Sequence, residues 1–127
     1  MAPAITSVVS EFDAALLVGM SADEFSTEQQ GVSAVRRGHD FAFRGLRYQV
    51  KANRPSGKPG STVRLVAKAK NYEWDRLIWV HYTQRFEIFE AWVWPVDDYR
   101  RQFQDLARLG PTHMRQGERL VSGQATG

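Results

Sequence analysis

The run Leu77-Ile78-Trp79-Val80-His81-Tyr82 is apolar apart from its histidine and has the length of one strand. A strand with one wet face alternates apolar and polar residues, whereas an unbroken run is what a strand covered on both faces requires. The rest of the chain must therefore supply an apolar layer for each side. Residues 86–94 supply a partner: Glu87 and Glu90 interrupt a series of aromatic residues, and Thr83-Gln84-Arg85 makes a turn, so the two segments read as an antiparallel hairpin. A chain of 127 residues suits one domain with a modest core. Residues 1–120 are read as that domain and 121–127 as a disordered tail.

The covering layers come from either side of this hairpin. Ile5, Val8, Val9, Phe12, Ala15 and Leu16 recur near helical spacing and predict an amphipathic helix over 5–18, closed near Gly19. Residues 21–38 are polar and contain Gly31, so a loop is expected, with a short strand at 32–35. Residues 39–43 and 46–53 flank Arg44-Gly45 and predict a second hairpin. The Pro and Gly residues of 54–61 predict a loop. Over 62–74, Val63, Leu65, Val66, Ala67 and Ala69 fit a helix or a strand equally, and a short helix is preferred. Asp97 and Asp98 after Pro95 open a helix to about Leu109, with Arg108 in its last turn to match the helix dipole. A short helical turn after Gly110-Pro111 includes Met114. The chain between Lys51 and Leu77 is long enough to cross to a parallel neighbour. The expected fold is α/β (α+β), a mixed sheet flanked by helices.

Charge is distributed unevenly. Residues 1–35 hold no Lys or Arg, while Arg36, Arg37, Arg44, Arg47, Lys51, Arg54, Lys58, Arg64, Lys68 and Lys70 are accompanied over 36–70 by a single acid, Asp40. Cations around one carboxylate suit phosphate binding with the acid kept for a metal; a solvated basic face is the equal alternative. There is no cysteine, which excludes disulfides and thiolate metal sites. No segment approaches the ~20 apolar residues of a membrane span, and the N-terminus lacks a basic region followed by an apolar core. A soluble, cytoplasmic protein is expected.

The first hairpin carries the chemistry. Gly38-His39-Asp40, then Arg44-Gly45, then Tyr48-Gln49-Val50-Lys51-Ala52 would bring a carboxylate, an amide and an ammonium to one hairpin edge. Residues alternate faces along a strand, so Gln49 and Lys51 share one face and Val50 takes the other, a core position. With a helix bearing Glu11 before it and the apolar strand after Trp74-Asp75, this pattern resembles the PD-(D/E)XK nuclease superfamily, the restriction-endonuclease-like fold. The likeness covers roughly residues 10–99 and is greatest to small members with Gln-x-Lys in the second strand.

That resemblance implies a metal-dependent endonuclease acting on phosphodiester bonds, DNA more than RNA. Asp40 takes the place of the metal-binding aspartate, Gln49 that of the acidic residue of the motif, Lys51 that of its lysine, and Glu11 that of the helix acid. Mg2+ or Mn2+ would be held by Asp40, Gln49 and Glu11, while Lys51 stabilises the charge that builds on the phosphoryl group. Arg47, Arg54, Lys58 and Arg64 would hold flanking phosphates, which positions the strand without specifying sequence. Double-strand cutters with one site per chain often act as homodimers. Gln49 is a neutral amide where a carboxylate is the rule, which weakens the hold on a divalent ion. The alternatives are a catalytically weak or inactive nucleic-acid-binding domain of the same fold, or a protein-interaction domain.

Each residue also has a plainer reading. Asp40 after Gly38 suits a turn acid bonded to nearby backbone, Lys51 a surface cation, and Glu11 a solvated helix acid for which Glu28 is a less favoured substitute. His39 falls on the strand face opposite Asp40, His81 suits a satisfied core histidine, and His113 stands apart; the three lack metal-ligand spacing. Trp74, Trp79, Trp92 and Trp94 are read as sheet packing before base stacking. Serine-hydrolase, phosphate-loop and cysteine-nucleophile motifs are all missing.

Overall fold

The computed structural model describes residues 5–31 and 38–122. In chain order the elements are α1 (Ile5–Leu17), α2 (Ala22–Gln30), β1 (Phe41–Phe43), β2 (Leu46–Asn53), β3 (Arg76–Tyr82), β4 (Ile88–Pro95), α3 (Val96–Phe103), α4 (Pro111–Met114) and β5 (Glu118–Ser122). The strands form one mixed sheet in the order β1-β2-β3-β4-β5. β2 and β3 run parallel, and every other neighbouring pair is antiparallel. The protein is thus α+β, with helices flanking a five-stranded mixed sheet.

β3 sits at the centre and feeds two cores. Ile78, Val80 and Tyr82 join Ala14, Ala15, Met20, Phe41, Tyr48, Val50 and Val93 beneath α1. Leu77 and Trp79 join Val66, Trp74, Trp94, Tyr99, Phe103, Leu109 and Met114 on the other face. Alternating residues of one apolar run therefore fill opposite layers, as burial on both faces requires.

α1 meets the sheet through small residues, Ser10, Ala14 and Ala15, which allow close approach, while Val8, Phe12 and Leu16 stay exposed. The Tyr82 hydroxyl donates to Asp13 Oδ2 at 2.6 Å and pins the helix to β3. Burial and this carboxylate both push the Tyr82 hydroxyl well above its ordinary range.

α2 occupies part of the stretch expected to be loop. Its start is a capping box: Glu24 N–H donates to Ser21 Oγ and Ser21 N–H to Glu24 Oε1, both at 3.0 Å. Phe25 carries its packing, set edge-on to Phe12 and Phe41 at 5.7 and 6.2 Å between ring centres. The strand expected at 32–35 lies outside the described residues.

The β1–β2 hairpin turns through Arg44 (φ 51°) and Gly45 (φ 79°), the left-handed pair of a two-residue turn matched to sheet twist. The crossover from β2 to β3 carries no helix, in contrast to the helix preferred for 62–74. Its backbone bonds outward instead: Val66 N–H donates to Leu109 O at 2.9 Å and Ala69 N–H to the Tyr99 hydroxyl at 3.0 Å. The same bridge explains why α3 stops at Phe103 short of Leu109, which turns back to reach Val66. Val121 and Ser122, assigned to a tail, belong to β5 and pair with Ala91 and Glu90 of β4. No helix among the described residues is long and apolar enough to cross a membrane.

Leu77→Ala is expected to cost about 3 kcal/mol, since it opens a cavity in a layer that cannot collapse around a central strand. Leu65→Ala, on a side chain 58% exposed, should stay within about 0.5 kcal/mol. Urea unfolding of both variants checks the contrast.

Candidate active site

β1 is shorter than β2, and the site forms where it gives out. The β1–β2 ladder runs from Phe43↔Leu46 to Phe41↔Tyr48, leaving residues 49–53 without a strand on that side. Asp40 continues the pairing. Its N–H donates to Tyr48 O at 2.7 Å, and its Oδ2 accepts the Val50 N–H at 2.7 Å. The carboxylate is thereby fixed at the edge of β2, level with the residue between Gln49 and Lys51.

Two neighbours hold Asp40 in place. Gly38 (φ 76°) passes so near Glu73 that an added Cβ would lie 2.5 Å from the Glu73 Cβ, which demands glycine two residues ahead of the acid. From α2, Gln29 Nε2 donates to Asp40 O at 3.2 Å, and Glu28 Oε2 accepts the Ala42 N–H at 3.0 Å. Glu28 therefore covers the outer edge of β1.

Val50 is buried under α1 as the alternation predicted, with Gln49 and Lys51 half-buried on either side. A cleft of about 520 Å³ is lined by Ser7, Ser10 and Glu11 of α1, by Asp40, Gln49, Lys51, Asn53 and Arg54, and by Ala67 of the crossover. All four residues singled out in the sequence thus share one cleft. Burial lowers the Lys51 ammonium below its ordinary range, Asp40 opposes that shift, and Lys70 adds to it.

The basic residues separate. Arg54 lines the cleft, held by donation from Nε to Gln84 O at 2.8 Å and by stacking 4.1 Å over the Phe86 ring. Arg47 lies at the other end of β2 and is bound to Asp75: its N–H donates to Oδ2 at 2.7 Å and its Nε at 3.2 Å. Those bonds hold the Asp75 carboxyl below its usual range and tie β2 to the start of β3. Lys58 and Arg64 are exposed and do not line the cleft.

Among the described residues no three or more His, Cys, Asp or Glu side chains converge as a metal cluster. The cleft offers two carboxylates, Glu11 and Asp40, with the Gln49 amide oxygen. Magnesium is usually held by one or two carboxylates together with water and phosphate, so this donor set fits magnesium or manganese. The Val50 N–H orients Asp40 without disqualifying it, because carboxylate oxygens have more than one lone pair.

A second polar centre was not anticipated. Glu90, 5% exposed, accepts from Arg115 Nε at 2.8 Å and Nη2 at 2.6 Å, from Trp92 Nε1 at 2.8 Å, and pairs with His81 Nδ1 at 2.8 Å. His81 is satisfied, as expected, but by a charged partner. The signal was its register: once the 83–87 turn closes the hairpin, His81 and Glu90 face each other. Nothing local pointed to Arg115.

No protein-family model matches the chain, and no curated protein matches it either.

Burial pushes the Glu90 carboxyl up, but its hydrogen bonds from Arg115, His81 and Trp92 outweigh this and hold it at about 2. A depressed carboxyl stabilises the fold above its unfolded pKa, and that stability disappears as pH falls through the folded value. Glu90→Gln should therefore cost about 3 kcal/mol near neutrality and much less near pH 2. Thermal melts of both proteins across the acid range read the difference.

Proposed function

We propose that the chain is a metal-dependent nuclease that hydrolyses phosphodiester bonds, in DNA before RNA, as members of the PD-(D/E)XK superfamily do. The observation that supports this reading is that Glu11, Asp40, Gln49 and Lys51, drawn from a helix and two sides of a hairpin, line one cleft. Asp40, Glu11 and the Gln49 oxygen would hold magnesium or manganese. When bound, the ion supplies positive charge against a phosphate oxygen and acidifies an attacking water.

The remaining work falls to the chain. Lys51 donates to a non-bridging oxygen and offsets the charge that develops there, more strongly because burial limits screening by water. Asp40 favours the charged form of that ammonium against burial. Arg54, braced by Gln84 and Phe86, holds a neighbouring phosphate at the cleft wall. Lys58 and Arg64, exposed on the crossover, add long-range attraction that salt screens. Arg47 is a structural cation in this scheme, since its guanidinium is committed to Asp75.

A second reading is nucleic-acid binding without cleavage. The neutral Gln49 favours it, because the cleft then presents one negative charge fewer to a divalent ion.

Incubation of plasmid and of single-stranded DNA with the protein and magnesium tests both. Lys51→Ala should slow cleavage by about 10²-fold or more and Asp40→Asn should abolish it, with binding by fluorescence anisotropy largely kept. Cleavage indifferent to both substitutions would remove this cleft as the active site. Salt-sensitive binding with no cleavage by the wild type would select the second reading.

A further inference from the structure

Beyond the catalytic cleft lies a cavity of about 430 Å³, walled by Pro55, Val63, Phe89 and Pro111 with His81 and Arg115 among the polar groups. Mostly apolar walls with a few fixed polar groups, at that volume, are the usual make-up of a small-ligand site.

The polar groups define what would fit. Glu90 as a carboxylate can only accept, so the bond at His81 Nδ1 places the hydrogen on that nitrogen. In the neutral ring, Nε2 is then left as a lone-pair acceptor. The Arg115 charge is matched by Glu90, to which its Nε and one Nη are bound. The Glu90 and Arg115 charges cancel, so with the neutral ring the cluster suits an uncharged ligand with an N–H for Nε2 and a carbonyl for the remaining arginine N–H groups. The His81 and Phe89 rings on this wall meet edge-on, 72° apart. The His81 ring lies 5.1 Å from Trp79 and 5.3 Å from Phe89, and Phe89 is 37% exposed.

Position supplies the rest of the argument. Asn53 and Arg54 line the catalytic cleft, and Pro55, the next residue, lines this cavity. In the parallel register Asn53 pairs with His81, so the two sites meet at adjacent strand ends.

We propose that the cavity receives an unpaired nucleobase of the bound strand, beside the phosphate held near Lys51, with its N–H edge on His81 Nε2 and its ring against Phe89. This rests on the nuclease reading above and narrows its substrate to single-stranded or locally unpaired nucleic acid, because in a duplex that edge is engaged by the opposite strand.

The test is an NMR titration of the full chain with the four free nucleosides, which carry no phosphate, following the His81 imidazole nitrogens and the Phe89 ring. Nucleosides with an exocyclic amine should move the Nε2 signal. Phe89→Ala and His81→Phe should each weaken binding about tenfold, in proteins whose spectra remain dispersed. The exposed Phe89 makes its variant the safer one for folding. Absence of any nucleoside response, or wild-type affinity in both variants, overturns the proposal. Lys51-dependent cleavage of single strands without a nucleoside response would sink the cavity assignment and leave the catalytic cleft standing. Nucleoside binding by a wild-type protein that cleaves nothing would support the cavity and overturn the nuclease reading.

Discussion

Burial of β3 on both faces is the constraint on which the remaining architecture depends. Leu77 and Trp79 point into one layer and Ile78, Val80 and Tyr82 into the other, so neither α1 nor the α3–α4 region can be removed without wetting the central strand. β2 pairs with β3 in parallel. A central strand needs partners on both edges; the turn at 83–87 supplies β4 on one side, and β2 closes the other. That long return gives the two clefts a shared wall, since the crossover contributes Ala67 to one and Val63 to the other.

A mismatch in strand length opens the candidate cleft in this scaffold. Had β1 continued beside all of β2, the Val50 N–H would have met a backbone carbonyl and the edge would have been closed. Instead Asp40 Oδ2 takes that hydrogen bond, which places an acid between two polar neighbours at the floor of a cleft. The structural and functional readings of Asp40 are compatible, because the bond that completes the ladder is also the one that orients the carboxylate. α1 lines the Val50 side of the cleft, and it is pinned to β3 by the Tyr82–Asp13 bond, two residues from Glu11.

Legibility varied with how local each cause was. The central strand, both hairpins and α1 were readable because period and turn chemistry act within a few residues. α2 also had a local signal, the Ser21-x-x-Glu24 capping box, but a polar composition obscured it. The crossover could not be read as irregular, since what holds it open is its bonding to Leu109 and Tyr99, far along the chain. Arg47 shows the same limit: a cation in a basic segment looked like a phosphate ligand, and its partner Asp75 stands 28 residues away.

The sequence by itself determined the doubly covered strand, the hairpin with Gln49 and Lys51 on one face, and the acid at its edge, because alternation and turn geometry are properties of short segments. Only the tertiary structure decided which charges would be neutralised and which would line a cavity. Of four arginines and lysines assigned to phosphate, Arg54 alone reached the cleft, while His81 and Arg115 gathered around the buried Glu90 carboxylate. Side-chain electrostatics depend on distances set by the packing of remote elements, and those distances are fixed when the layers close over β3.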